Sequence, residues 1–146
     1  MIASTVANPI LNSFFARGSS GAGLANECWI GMSTTVPTFS NGTINGFTEP
    51  SPTTGYKRSR LGINGNTATY IMDAAQNSAI TNGTNFIFFD EATTGQGGFG
   101  KLVWFGLFSA ETGGSPLIAG ALTSEVTVNE GYVLIFRPNN LTVSME

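Results

Sequence analysis

The 146-residue sequence contains no histidine, and that absence removes most common catalytic arrangements. A serine or cysteine nucleophile activated by imidazole is impossible, as are zinc sites built on histidine or on several cysteines. The lone cysteine, Cys28, sits in the apolar run Cys28-Trp29-Ile30. With no partner thiol and no base to activate it, it reads as a small buried hydrophobe. Paired carboxylates are the remaining catalytic device. Asp90-Glu91 is the one pair adjacent in sequence, but neighbours on an extended chain point to opposite sides, so it reads as solvated loop charge. Nothing suggests two carboxylates held across a cleft, as glycoside hydrolysis needs. The run Gly95-Gln96-Gly97-Gly98-Phe99-Gly100 has the glycine content of a phosphate-cradling loop. It lacks the Lys-Ser/Thr element, and a strand rather than a helix follows, so it reads as a turn. No catalytic, cofactor-binding or metal-ligating residue is assigned, and the chain is expected not to be an enzyme.

Two polar clusters could instead recognise a partner. The stretch Val36–Thr54 is rich in Pro, Gly, Asn, Ser and Thr, with turn chemistry at Asn41-Gly42 and Asn45-Gly46. Phe39, Phe47 and Glu49 lie within it. Aromatic faces among neutral polar groups suit a sugar, which makes this loop a weak candidate for binding a surface glycan; an ordinary surface or interface loop is the plainer reading. The run Lys57-Arg58-Ser59-Arg60 reads as a solvated strand edge, since charge deters edge-to-edge pairing, or as a source of salt bridges to a neighbouring subunit. Six basic residues in all do not make a nucleic-acid surface.

The elements that must hold these residues are mostly strands. Residues 8–17 are the one good helix: Asn8 at the cap, Pro9 at the first helical position, Gly18 to end it. Ile10, Leu11, Phe14 and Phe15 share one face. That face must dock, either on its own domain or, as an arm, on a neighbour. Gly18–Gly23 reads as a flexible linker. Strands are expected at 27–34, 54–63, 67–72, 85–90, 101–109, 117–122 continuing through 125–128, 132–136 and 141–145. A hairpin turn is expected at Asn64-Gly65, and the segment 73–83 is expected to be irregular or weakly helical. Short strands joined by turn signals predict an antiparallel β-sandwich or jelly-roll-like knob. The organisation expected is an N-terminal helical arm, 1–18, and a single β-sandwich domain, 19–146.

Two strands lack the alternation of a sheet with one wet face. In Leu102–Phe108 and in Val133–Phe136 both faces are apolar. One face serves the core; the other faces either the helix or another subunit. Trp104, Phe105, Phe108 and Phe136 therefore join Ile10, Leu11, Phe14 and Phe15 as candidate interface residues. Composition points the same way. Only 10% of residues are charged and 41% are hydrophobic, against about 25% charged in typical soluble domains. A surface so poor in charge suits a permanent homo-oligomer. The N-terminal residues do not read as a signal peptide, and no apolar run approaches a membrane span. Synthesis in the cytoplasm and no membrane insertion are the expectation.

The pieces ECWIGMSTTVPT, GFTEPSPTTGYKR, LVWFGLFSAETGGSPLIAGALTSEVTVNEGY and LTVSM, in that order, resemble a family of small tailed-bacteriophage virion proteins often labelled phage tail fibre proteins. Trp104 stands where that family often has histidine and Ser109 where it often has aspartate; residues 64–100 match less well. The resemblance implies a virion structural protein: a capsid decoration or head-fibre subunit, or a small tail-fibre subunit. It implies a homotrimer, with other phage capsid or tail proteins as partners.

Overall fold

The structure, a computed structural model, describes residues 2–15, 26–63 and 65–145. The Gly18–Gly23 linker, the helix end at Gly18 and Asn64 of the hairpin turn lie outside them. Helix α1 spans Ser4–Phe14, and ten strands follow: β1 Glu27–Ser33, β2 Thr38–Ser40, β3 Thr43–Asn45, β4 Ser59–Ile63, β5 Ala79–Thr81, β6 Ile87–Phe88, β7 Gly100–Phe108, β8 Ile118–Val128, β9 Ile135–Phe136 and β10 Thr142–Ser144. The fold is mainly β, in several antiparallel sheets with one helix near the N-terminus, consistent with a β-sandwich. The chain forms two compact units, the first from 1–28, 60–87 and 135–146, the second from 29–59 and 88–134.

In the first unit, α1 buries Ala7, Leu11, Phe14 and the adjoining Phe15, a stripe at spacings of three and four. It packs against β5, so this face is covered by the chain's own first unit. The helix begins four residues earlier than Asn8. Ala3 is at the cap, without a side-chain bond, and Pro9 lies inside the helix. Asn8 does not cap because its side chain is used elsewhere: Oδ1 accepts from Ser78 N at 2.9 Å. Asn12 Oδ1 likewise accepts from Ala75 N at 2.8 Å. These bonds hold a tight turn, Gln76–Ala79, whose central residues Asn77 and Ser78 have φ of 50° and 63°, a conformation unfavourable for serine. The turn feeds β5, which pairs antiparallel with β10.

Asn82 is the polar centre of this unit. It is 0% exposed. Its Nδ2 donates to Asn85 O at 2.6 Å and Arg137 O at 2.9 Å, and its Oδ1 accepts from Leu141 N at 3.0 Å. One side chain thus ties its own turn to the stretch from Arg137 to Leu141.

In the second unit, β7 lies between β1 and β8, antiparallel to both. The register sets Gly31 opposite Gly106. The β7–β8 pairing shifts between Leu102 and Trp104. Leu102, Leu107 and Phe108 are buried, while Trp104 and Phe105 are half-buried.

Several elements differ from expectation for local reasons. Val36–Thr54 contains the β2–β3 hairpin, closed by Asn41 and Gly42, both with positive φ, as a two-residue turn demands. Residues 67–69 form a 3-10 turn instead of a strand, because Asn66 accepts from Ala68 N at 3.2 Å and competes with a sheet ladder. Pro52–Thr54 is likewise a 3-10 turn, so the strand expected from 54 starts at Ser59. The run 133–136 is not buried on both faces: Leu134 is buried, but Val133 and Ile135 are exposed.

Replacing Asn82 by Ala leaves Asn85 O and Leu141 N without their partner, while Arg137 O keeps Asn140 N at 3.1 Å. Unsatisfied buried groups cost about 1–3 kcal/mol each, partly relieved by entering water, so Asn82→Ala should destabilise the fold by about 3 kcal/mol. Urea unfolding checks this; a loss below about 1 kcal/mol would show that the backbone finds other partners.

Candidate functional site

The clearest constellation of polar chemistry lies in the second unit, around Glu49, Tyr56 and Arg58. Their placement begins at the end of β1. The buried Ser33 Oγ accepts from Thr48 N at 3.0 Å, and Thr34 N donates to Thr48 O at 2.9 Å. This fixes the residue before Glu49. Gly31 leaves the room the carboxylate needs: a Cβ there would meet Glu49 Oε1 at 2.6 Å and Phe108 Cε2 at 2.9 Å. Opposite, a Cβ on Gly106 would meet Phe47 Cε2 at 2.7 Å and Pro116 Cβ at 2.9 Å. Two facing glycines thus let the Phe47–Glu49 segment lie close on the sheet.

Arg58 closes the cluster. Its Nε and Nη2 donate to the two oxygens of Glu49 at 2.9 and 2.7 Å, a bidentate pair. Its Nη1 donates to Ala110 O at 2.8 Å and Gly113 O at 2.9 Å, and its guanidinium carbon lies 3.3 Å from the centroid of the Phe108 ring. The Arg58 side chain is 3% exposed and that of Glu49 25%. The Tyr56 hydroxyl donates to Glu49 Oε1 at 2.9 Å and accepts from Met32 N at 2.7 Å. Burial first, and the nearby Glu49 charge second, push the Tyr56 hydroxyl pKa far up, so it stays protonated.

Sequence reasoning found Glu49 and Phe47 but missed Tyr56, and it placed Arg58 on a solvated edge. That expectation is corrected: Arg58 is buried because its charge is met by Glu49 and the two Nη1 donors by two carbonyls. Lys57 does face water, 3.5 Å from the exposed Asp90. The GFTEPSPTTGYKR piece was the available signal, since it carries all three residues. Phe47 packs edge-on to Phe108, centroids 5.5 Å apart. Phe39 does not join them; it is 76% exposed on β2. Among the candidate interface residues, Phe108 belongs to this cluster, Leu11, Phe14 and Phe15 are buried in the first unit, Ile10 is exposed there, and Phe136 is half-buried.

Two hollows flank the ion pair. A cleft of about 450 Å³ lies between Pro50–Pro52 and Glu111–Gly113, with Tyr56, Lys57 and Arg58 at its base. A smaller one of about 160 Å³ is lined by Ile44, Phe47, Glu49, Phe108 and Ser115, among others. The arrangement can hold a neutral polar group. The glycine-rich loop is also occupied from within: Gly95 N and Gly97 N donate to the Glu130 carboxylate at 2.6 and 3.1 Å. Among the described residues, no group of three or more His, Cys, Asp or Glu could hold a metal ion, and no helix is long and apolar enough to cross a membrane.

Removing one partner of a buried pair leaves the other uncompensated. Arg58→Ala should cost about 3 kcal/mol, while Arg58→Met with Glu49→Gln should recover most of that loss; equal losses in urea unfolding would show that the ion pair does not carry the stability. Cys28 is buried, and burial pushes its thiol from 9.0 up to about 12. A thiol whose folded pKa is raised stabilises the fold below pH 9 and loses that contribution as pH rises toward 12. The native protein should therefore not react with Ellman's reagent at pH ~8, and should do so once unfolded in urea.

No curated protein matches this chain. One family model does, that described as podophage GP4 fiber I protein gp80, over residues 1–144. That span takes in α1, all ten strands and the Glu49–Tyr56–Arg58 cluster. The chain therefore belongs to the podophage GP4 fiber I protein gp80 family, and is a structural protein of the phage virion.

Proposed function

We propose that this chain is a fibre-type subunit that works by assembly, as a homotrimer held on the phage particle by other virion proteins, and that it performs no catalysis. The observation that carries this reading is the family match over residues 1–144. The surface supports it. Val36, Phe39, Phe88, Leu117 and Tyr132 are exposed on a chain in which only 10% of residues are charged, and such side chains favour burial against another protein surface. The sequence has no heptads or internal repeats from which to build a long shaft, which suits a short fibre, a fibre tip or a knob on the capsid.

A second reading, binding of a host surface glycan, rests on the hollow where Phe47 and Glu49 meet. A carboxylate beside an aromatic ring can accept a sugar's hydroxyls while the ring packs against the sugar's apolar face.

Light scattering on the purified full chain should give the mass of three copies at micromolar concentration; a well-folded monomer would sink the assembly reading. A cryo-EM map of the virion would place the subunit on tail or capsid. A glycan array should separate the readings, because a bound sugar lost on Phe47→Ala would make attachment the primary role.

A further inference from the structure

Strand β8 is unusual for an edge. It is eleven residues long, Ile118–Val128, and β7 is its one strand neighbour. Among the described residues, the backbone of 118–127 makes no hydrogen bond to any segment other than β7. Only Val128 is buried. Edge strands that stay in water are usually short, or carry Lys, Pro or inward-facing charge. Here the sequence IAGALTSEVTV has no Lys and no Pro. Its one charge, Glu125, is already held by Lys101 at 2.8 Å. The irregular pairing around Leu122–Glu125 interrupts the ladder but leaves regular runs on both sides, at 118–121 and 126–128.

We infer that the outer edge of β8 is where a second copy of this chain docks, adding an extended segment to the sheet by backbone hydrogen bonds. This rests on the self-assembly reading above. The occupant follows from charge. An edge whose only charge is neutralised internally meets an identical chain without like-charge repulsion, whereas it offers no free cation or anion to select a charged partner. Exposed Leu117 and Val126 stand near its two ends and give the incoming segment apolar contacts. In a trimer such a contact is head-to-tail: the edge of each copy receives a different segment of the next.

The test uses the full chain. In the assembled protein, amides of 118–127 that point away from β7 should exchange hydrogen at least about tenfold more slowly than in a diluted, dissociated sample. The double variant Thr123→Lys with Thr127→Lys should be monomeric by light scattering, with an unchanged circular dichroism spectrum. An oligomeric native protein whose β8 amides exchange equally fast assembled and diluted overturns the inference and leaves self-assembly standing. So does a folded double variant that still assembles. A monomeric native protein overturns both. If the variant misfolds, exchange in the native protein alone decides.

Discussion

The second unit depends on one guanidinium. Arg58 lies against the Phe108 ring, holds both oxygens of Glu49, and ties down the carbonyls of Ala110 and Gly113. Glu49, nine positions upstream, and the stretch from Phe108 to Gly113, far downstream, meet on this group. A buried cation is costly unless nearly every donor is matched, and here that condition is met by one carboxylate and two carbonyls. The carboxylate reaches it only because Gly31 has no side chain, and the Phe47 ring settles beside it only because Gly106 has none. The cluster specifies the arrangement of its loops more than it adds stability, since an apolar replacement of both partners could be as stable.

Much of the fold was legible in the sequence because periodicity and turn chemistry are local. The Asn41-Gly42 turn, the long strand around 101–109 and the apolar helix face all rest on residues close together in the chain. Boundaries failed where a side chain bonded far away. Asn8 looks like a helix cap until Ser78 is found beside it. Residues 132–134 look like strand, yet they bond singly, Phe89 N to Leu134 O and Ala92 N to Tyr132 O, without a continuous ladder. Arg58 was misplaced for the same reason. A four-residue window shows a polar run, and nothing in it reveals a carboxylate nine positions upstream or carbonyls more than fifty positions downstream.

The glycine-rich loop is a lesson in the other direction. Its backbone amides do converge as an anion site would require, but the anion is the chain's own Glu130. Composition suggests a turn there and says nothing about who fills it. The same holds for the apolar faces. Sequence identifies that 102–108 and 133–136 carry apolar residues on both sides, and in the folded chain Val133 and Ile135 remain in water, a surplus that one copy of the chain does not absorb.

The path of the chain through its two units has a kinetic consequence. The segments alternate, with boundaries at 28/29, 59/60, 87/88 and 134/135, and the pairings are distant: Trp29 with Phe108, Ile80 with Val143. Such long-range closure is slow, because loop entropy is lost before any contact compensates it. A nascent chain emerging from the ribosome cannot finish either unit early. The platform beneath the N-terminal helix lacks its partner strand until residues 142–144 appear. Folding of the first unit therefore waits for those residues, and during that delay the apolar helix face waits in water, the interval when wrong association between chains is most dangerous.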